Sequence, residues 1–406
     1  MFSLLKNAFS RKLASSNFQA VPIIVGAHKP RMGESEREAL KAEVKMPLVY
    51  KSEEDLEVDW YIHRGHKLSE QDEMPKLCAE IKQFDTMLAV TTGGRPIAEL
   101  LTRSARHRIL SPLEQAIEMQ SPSATSDGFR DIEQFAAELS DDYAFHLLMC
   151  YAHIDAVRLC KTQKAKDSGL FGCRTIESHI SKASTHITFA TKHNAQSAAI
   201  AAAKCALCEI SNASPASLMQ SYEELIALDK TTYAHFRKYA RALLAHPEIG
   251  LDVLDQEASK MVKKTQDIWG TGAYAWMYLD PLGTDSASFE RVDVTRFMEG
   301  ALDIFERCPD QHNANLFAGF AALSLSAPVS GKETATQRRN RLQLHETADW
   351  IIDTHLRELH PLLWLKGAHW LFLESQELTH DQKAALGEEL VLRVMQIHQR
   401  HADAVK

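Results

Sequence analysis

The chain is poor in the two residues that break helices, with 17 glycines and 13 prolines in 406 positions. Glycine loses the most backbone freedom on ordering, and proline lacks a backbone donor. Their scarcity, beside abundant alanine and leucine, favours helices over sheets. Alternating runs of β-branched and aromatic residues, which would mark strands, are nearly absent. No run of about 18 apolar residues occurs, so no membrane-spanning helix is expected. The seven cysteines are odd in number and lack framework spacing. That pattern fits free thiols in a reducing compartment. A basic surplus is also missing. The formal net charge of −8 argues against a general nucleic-acid binder, and no nucleic-acid partner is expected. What remains is a globular mix, 45% hydrophobic and 25% charged, in a chain long enough for two or three domains.

Residues 1–33 contain neither Asp nor Glu, while Lys6, Arg11, Lys12, Lys29 and Arg31 make them basic. Phe2, Leu5, Phe9 and Leu13 share one helical face. An acid-free amphipathic start suits a frayed terminal helix on a cytoplasmic protein, an organelle transit peptide, or an interfacial anchor. Cytoplasmic location is the expectation. Organelle targeting, or weak membrane-surface contact through residues 1–13, is the alternative. A mostly helical region follows at 34–120. Residues 121–128 are small and polar, with Pro122, and read as a linker. From 129 to 406 the pattern is that of a helical-repeat-like domain.

Helical spacing recurs along the chain. Leu77, Ile81, Phe84 and Leu88 share a face. Residues 97–109 read as a helix that carries Arg103, Arg106 and Arg108. Long helical patterns cover 141–161 and 173–192. The pattern at 195–210 is alanine-rich, which predicts tight packing and burial. Further pairs cover 218–228 with 231–245, and 342–356 with 361–374, before a last helix at 380–401.

The most informative stretch is 294–325. Phe297, Ala301, Ile304 and Phe305 fall on one helical face, with Asp293 as a cap for free backbone N–H groups. Pro309 stops that helix, and 310–315 read as a turn. Residues 316–325 follow with Ala318, Gly319, Ala321 and Ala322, so a neighbouring helix can come close. Glycine inside a helix costs up to about 1 kcal/mol against alanine, so Gly319 predicts a packing reason. Pro309 followed by Gly319 resembles the join between two units of the tetratricopeptide class. Ile304, Asn315 and Ala322 depart from that pattern, and no period of about 34 residues runs through the chain. The resemblance implies an all-α fold of antiparallel helix pairs, stacked as an α-solenoid or multi-helix array, with a groove for a protein or peptide partner.

No catalytic or cofactor motif is found, and no cofactor is expected. His146, Cys150 and His153 lie at i, i+4 and i+7, which aligns zinc-type ligands on one helix face but indicates no fourth partner. His179, His186 and His193 repeat every seven residues; two turns are about 10 Å, too far for one shared ion. Cys205 and Cys208 have redox-motif spacing but lie late in an alanine-rich helix, where buried thiols are expected. Gly93-Gly94-Arg95-Pro96 offers backbone N–H groups to an anion but lacks the P-loop Lys-Ser/Thr, and reads as a turn. Two aromatic groups remain: Trp269, Tyr274, Trp276 and Tyr278, then Trp364, Trp370 and Phe372 beside His360 and His369. Exposed, they would anchor a partner; otherwise they build core. The functional expectation is a non-catalytic scaffold that binds a protein or peptide, with Trp276, Tyr278, Trp364 and Trp370 as candidate contacts. The alternative is an enzyme or small-molecule binder, whose mark would be one pocket with convergent His, Glu or Arg groups of shifted pKa.

Overall fold

The computed structural model describes residues 32–120, 127–169, 172–326, 332–368 and 378–404. The protein is all-α. Among the described residues there is no strand, only the isolated bridges Leu48–Leu359 and Val90–Pro96. The chain divides into two compact units, Glu53–Ile249 and Met1–Ser52 with Gly250–Lys406. Helix α1 (Glu34–Glu43) shows why the second unit is discontinuous. Lys41 on it pairs with the buried Glu388 at 2.8 Å. Just beyond it, Val49 N–H donates to Leu359 O at 2.8 Å and Leu359 N–H donates to Pro47 O at 2.9 Å.

Among the described residues nine longer helices carry Glu53–Ile249: α2 (Glu53–Glu70), α3 (Met74–Thr86), α4 (Ile97–Ala105), α5 (His107–Met119), α6 (Tyr143–Cys160), α7 (Cys173–His193), α8 (Ala198–Ile210), α9 (Pro215–Leu228) and α10 (Tyr233–Ala245). Helix α6 is the axis of the unit. Leu147, Leu148, Ile154 and Val157 are buried within it, and α3, α4, α5, α7 and α8 pack around it. Side-chain oxygens start the helices by accepting otherwise free backbone N–H groups. Asp142 caps α6 through Ala144 N–H, Ser197 caps α8 through Ile200 N–H, and Ser214 caps α9 through Ser217 N–H.

The expected break near 121–128 does not coincide with a unit boundary, although residues 121–126 themselves lie outside the described residues. Ile109, Leu113 and Ile117 before it share one core with Phe129 and Ile132 after it. A cluster of small polar residues marks a loop, but packing across that loop decides whether it separates domains.

The other unit holds α11 (Leu251–Trp269), α12 (Gly272–Thr284), α13 (Val294–Arg307), α14 (Gln311–Gly319), α15 (Ala335–His345), α16 (Thr347–Thr354), α17 (Pro361–Gly367) and α18 (His380–Ala404). The hairpin read from sequence is α13 and α14, and Asp293 caps α13 through Arg296 N–H at 3.0 Å. The turn is shorter than expected. Asp310 accepts Asn313 N–H at 2.8 Å, so α14 starts at Gln311 and not after residue 315. Beyond Gly319 the helix widens into a π turn, Phe320–Ser324. Gly319 has the predicted packing reason. A Cβ on Gly367 of α17 would lie 2.7 Å from Gly319 C, so the two backbones touch where side chains are missing.

Candidate functional site

A sizeable hollow lies inside Glu53–Ile249. A cavity of about 630 Å³ opens between α6, α8, α9 and α10. The alanine-rich helix makes the room. Ala199, Ala202 and Ala206 recur on one face of α8, keep partial exposure, and line this cleft. The expectation of a tightly buried α8 therefore holds for part of the helix: Ile200, Ala201 and Ala203 are buried, and so is Cys205, although it lines the cavity. A small chamber of about 30 Å³ adjoins the cavity, and Glu99, Tyr151 and Ala202 line both.

The outer cavity is basic. Arg158, Lys161 and Arg241 stand exposed on its rim, Lys238 is half-buried, and Arg106 is buried. Its acidic lining residues are Glu99 and Glu209. Lys238 Nζ donates to Glu99. Burial would raise the Glu99 carboxyl, but the charge and hydrogen bond of Lys238, with the charge of Arg106 behind them, outweigh it and hold it at about 2. Tyr222 donates to Glu209 at 2.6 Å and stacks on Tyr239, with ring centroids 4.8 Å apart. Arg106 sits between α4 and α5. Its Nε donates to Asp155 at 2.7 Å, and its guanidinium lies 4.9 Å from the centre of the Tyr151 ring. Only 5% of Arg106 is exposed, yet Nη1 has no hydrogen-bond partner among the described residues.

The inner chamber is mostly apolar, with Phe84, Leu88, Val90, Leu147 and Ala198 among its walls. Its polar groups are tightly held. Asp85 accepts from Tyr143 Oη at 2.9 Å, Ser197 Oγ at 2.6 Å and Ala199 N–H at 2.9 Å, which ties α3, α6 and the start of α8 together. Asp229 accepts from Thr231 and Thr232 in the turn before α10, and its Oδ2 lies 3.0 Å from His235 Nε2. Burial would raise Asp229 too, but the His235 and threonine bonds hold it at about 2. His235 is 2% exposed, and its Nδ1 has no partner among the described residues.

A second cluster lies between α6 and α7. His146 Nδ1 is 3.0 Å from His186 Nδ1, and His153 Nδ1 is 2.9 Å from His179 Nδ1. Ring nitrogens this close share one proton. His146 Nε2 is 2.8 Å from Ser140 O, so Nε2 carries the hydrogen and Nδ1 accepts from His186. Phe129 stacks on His153 at 4.5 Å, and Phe189 stacks on His146 at 5.2 Å. Burial, with help from neighbouring positive charge, pushes His153 down to about 2, His186 to about 4, and His179 below its ordinary value. No group of three metal-type ligands occurs among the described residues. Cys150 does not join the histidines as a thiolate, because burial pushes its thiol up to about 12. The sequence pattern held a signal for this ladder: seven-residue histidine spacing on two helices that pack antiparallel, His146 beside His186 and His153 beside His179.

The aromatic candidates are not surface anchors. Trp276, Tyr278 and Trp364 are fully buried, and Trp370 lies outside the described residues, as do Phe372 and His369. Tyr274 and Tyr278 both donate to Asp255 Oδ1 at 2.9 Å, and Trp364 Nε1 donates to Asn315 Oδ1 at 2.8 Å. Trp276 meets Phe317 edge to face at 5.2 Å. These large rings gain more from burial than from standing in water, provided their polar tips find partners. Cys205 is buried and its thiol is pushed well up, opposite to a redox nucleophile. At 93–96 the turn does hold an anion, but an internal one: Gly93 N–H donates to Glu54 at 2.6 Å. Sequence reasoning missed Glu99, Lys238, Asp229 and His235, and noted Arg106 only as one of three arginines on a helix. Compared with family models, curated proteins and solved structures, the chain finds no match in any of the three.

Proposed function

We propose that the Glu53–Ile249 unit binds a small organic anion in its two-chamber cleft. The observation that carries this is Arg106, a residue lining the basic cavity whose buried Nη1 has no hydrogen-bond partner among the described residues. Leaving such a donor unmet costs about 1–3 kcal/mol, and a bound anionic oxygen would recover it. Rim cations Arg158, Lys161 and Arg241 would draw an anion in. Arg106 would then hold it where water is scarce and a charged hydrogen bond is strong. The volume also suits a small ligand, since such sites span about 300–1,000 Å³.

The test is calorimetry and thermal unfolding of the full chain with inorganic phosphate and simple carboxylates. At least one of these should bind and raise the melting temperature. Arg106→Gln should weaken that binding by more than about tenfold, the value of a charge-assisted bond. Arg106→Lys should recover part of it. No binding by any anion at millimolar concentration, or an unchanged affinity in Arg106→Gln, sinks the proposal.

A second reading keeps the protein- or peptide-binding scaffold suggested by the tetratricopeptide resemblance. Its support is Leu56 and Trp60, one turn apart on α2 and 54% and 58% exposed. Exposed apolar neighbours of that size suit a partner contact. If Trp60→Ala leaves every partner captured by the full chain in place, this reading fails.

A further inference from the structure

The larger cavity carries more positive charge than the carboxylates around it offset. Its lining cations are Arg106, Arg158, Lys161, Lys238 and Arg241, and its lining carboxylates are Glu99 and Glu209. Asp155 adds a third carboxylate, but two of the cations share it: it accepts from Arg106 Nε at 2.7 Å and from Arg158 Nη1 at 2.9 Å. Lys238 takes Glu99. Lys161 Nζ donates to a neutral acceptor, Ile210 O, at 2.8 Å. Counting the lining groups and Asp155, five cations stand against three carboxylates, a surplus of two. A carboxylate ligand would meet half of that surplus. A phosphate monoester, at about −1.5 to −2 near neutral pH, would meet nearly all of it.

Part of the wall is apolar. Helices α8 and α10 each pack against α9, and both line the cavity. Ala202 and Ala206 lie four apart on α8, and Ala242 and Ala245 lie three apart on α10, so each pair shares a face of its helix. All four keep some exposure, Ala242 least at 7%. Water beside such methyl groups is released at a gain when hydrocarbon takes its place. Inorganic phosphate would answer the charges and leave the methyls wet. At about 630 Å³ the cavity has room for a charged head and an apolar tail together.

Resting on the anion-binding reading above, we infer that the ligand is a phosphate monoester with a hydrocarbon tail. Arg158 and Lys161 hold the dianionic head, and the tail lies along the alanines of α8 and α10.

The experiment is calorimetry of the full chain with n-alkyl phosphates of about two to eight carbons, at about pH 8, where the head is fully charged. Alkyl carboxylates and alkyl ammonium ions of the same lengths run beside them, with inorganic phosphate as reference. Each added methylene should tighten alkyl phosphate binding about threefold until the apolar wall is covered. At equal length the phosphate head should bind about tenfold tighter than the carboxylate. Lys161→Met should remove most of that preference. Ala206→Phe adds a ring at a partly exposed position; it should abolish the gain with length and keep the affinity for inorganic phosphate. Affinity that does not grow with length in the natural chain, equal binding of the two acid heads, or ammonium ions bound as tightly as the acids would overturn the inference, as would a length dependence that survives Ala206→Phe. With inorganic phosphate still bound, those outcomes leave the anion site standing. Failure of phosphate and of every alkyl anion to bind takes down the anion-binding reading as well.

Discussion

Asp85 shows how much one side chain can organise. It is 6% exposed and serves donors from α6, from the cap of α8 and from the first turn of α8. Ser197 in turn accepts Ile200 N–H at 3.0 Å, so Asp85 indirectly sets where the cavity-lining helix begins. Asp85→Ala should destabilise the protein by about 3–5 kcal/mol, because buried donors lose a charged acceptor. Urea unfolding measures it, and a loss below about 1 kcal/mol would show that the network relaxes or fills with water. Gly367 makes a complementary case of steric need. An added Cβ meets backbone atoms of Gly319, which cannot swing aside as a side chain would. Gly367→Ala should therefore cost about 1–3 kcal/mol despite alanine being the better helix former. A neutral or stabilising result would mean that α14 and α17 separate without penalty.

Helices α6 and α7 meet through the histidine ladder, and the ladder ties their contact to pH. On α7 only Ala183, Ile187 and Ala190 are buried, so the rings supply much of the contact. The positive group facing them is Lys182, while the Asp141–His193 pair stands 3.9 Å apart at the far end of α7. Above pH about 6.5, histidines are neutral in both the folded and the unfolded chain, and their contribution is fully present. As pH falls, the unfolded chain takes up protons that the folded one refuses. Stability is then lost down to about pH 4 for His186 and about pH 2 for His153. Each ring contributes a slope of up to about 1.4 kcal/mol per pH unit. His186→Leu should flatten the acid limb of a stability–pH curve from urea melts. An unchanged slope would show that the ladder opens to water before it titrates.

At the scale of the whole molecule, the ladder belongs to Glu53–Ile249, whereas five of the six tryptophans, Trp269, Trp276, Trp350, Trp364 and Trp370, lie beyond it. The other unit holds a histidine of opposite sign. His398 lies 2.6 Å from Asp349 and 2.9 Å from Asp353; burial alone would lower it, but the two carboxylates raise it. Its contribution is present below pH about 6.5 and is lost as pH rises through the folded value. Acid therefore weakens the unit with the cleft and spares this contact. Heating at pH 5 should lose helical circular dichroism before tryptophan fluorescence shifts, with the two transitions closer at pH 7. Coincident transitions at both pH values would mean that the acid loss is not confined to one unit. The exposed Leu56 and Trp60 leave a partner role open to the same unit, which the capture experiment with Trp60→Ala addresses.

Helical class was legible in the sequence because it follows from local terms: few breakers, apolar residues at steps of three and four, and caps such as Asp293 beside the helices they start. The close approach at Gly319 was legible for the same reason, since a missing side chain is visible in one dimension. The cleft was not. Glu99 and Lys238 stand far apart in the chain and meet only through the packing of helices against one another. An alanine stripe likewise reads the same whether a neighbour fills it or leaves it hollow. Side-chain volume can be counted residue by residue, but empty space is a property of what several helices together fail to fill.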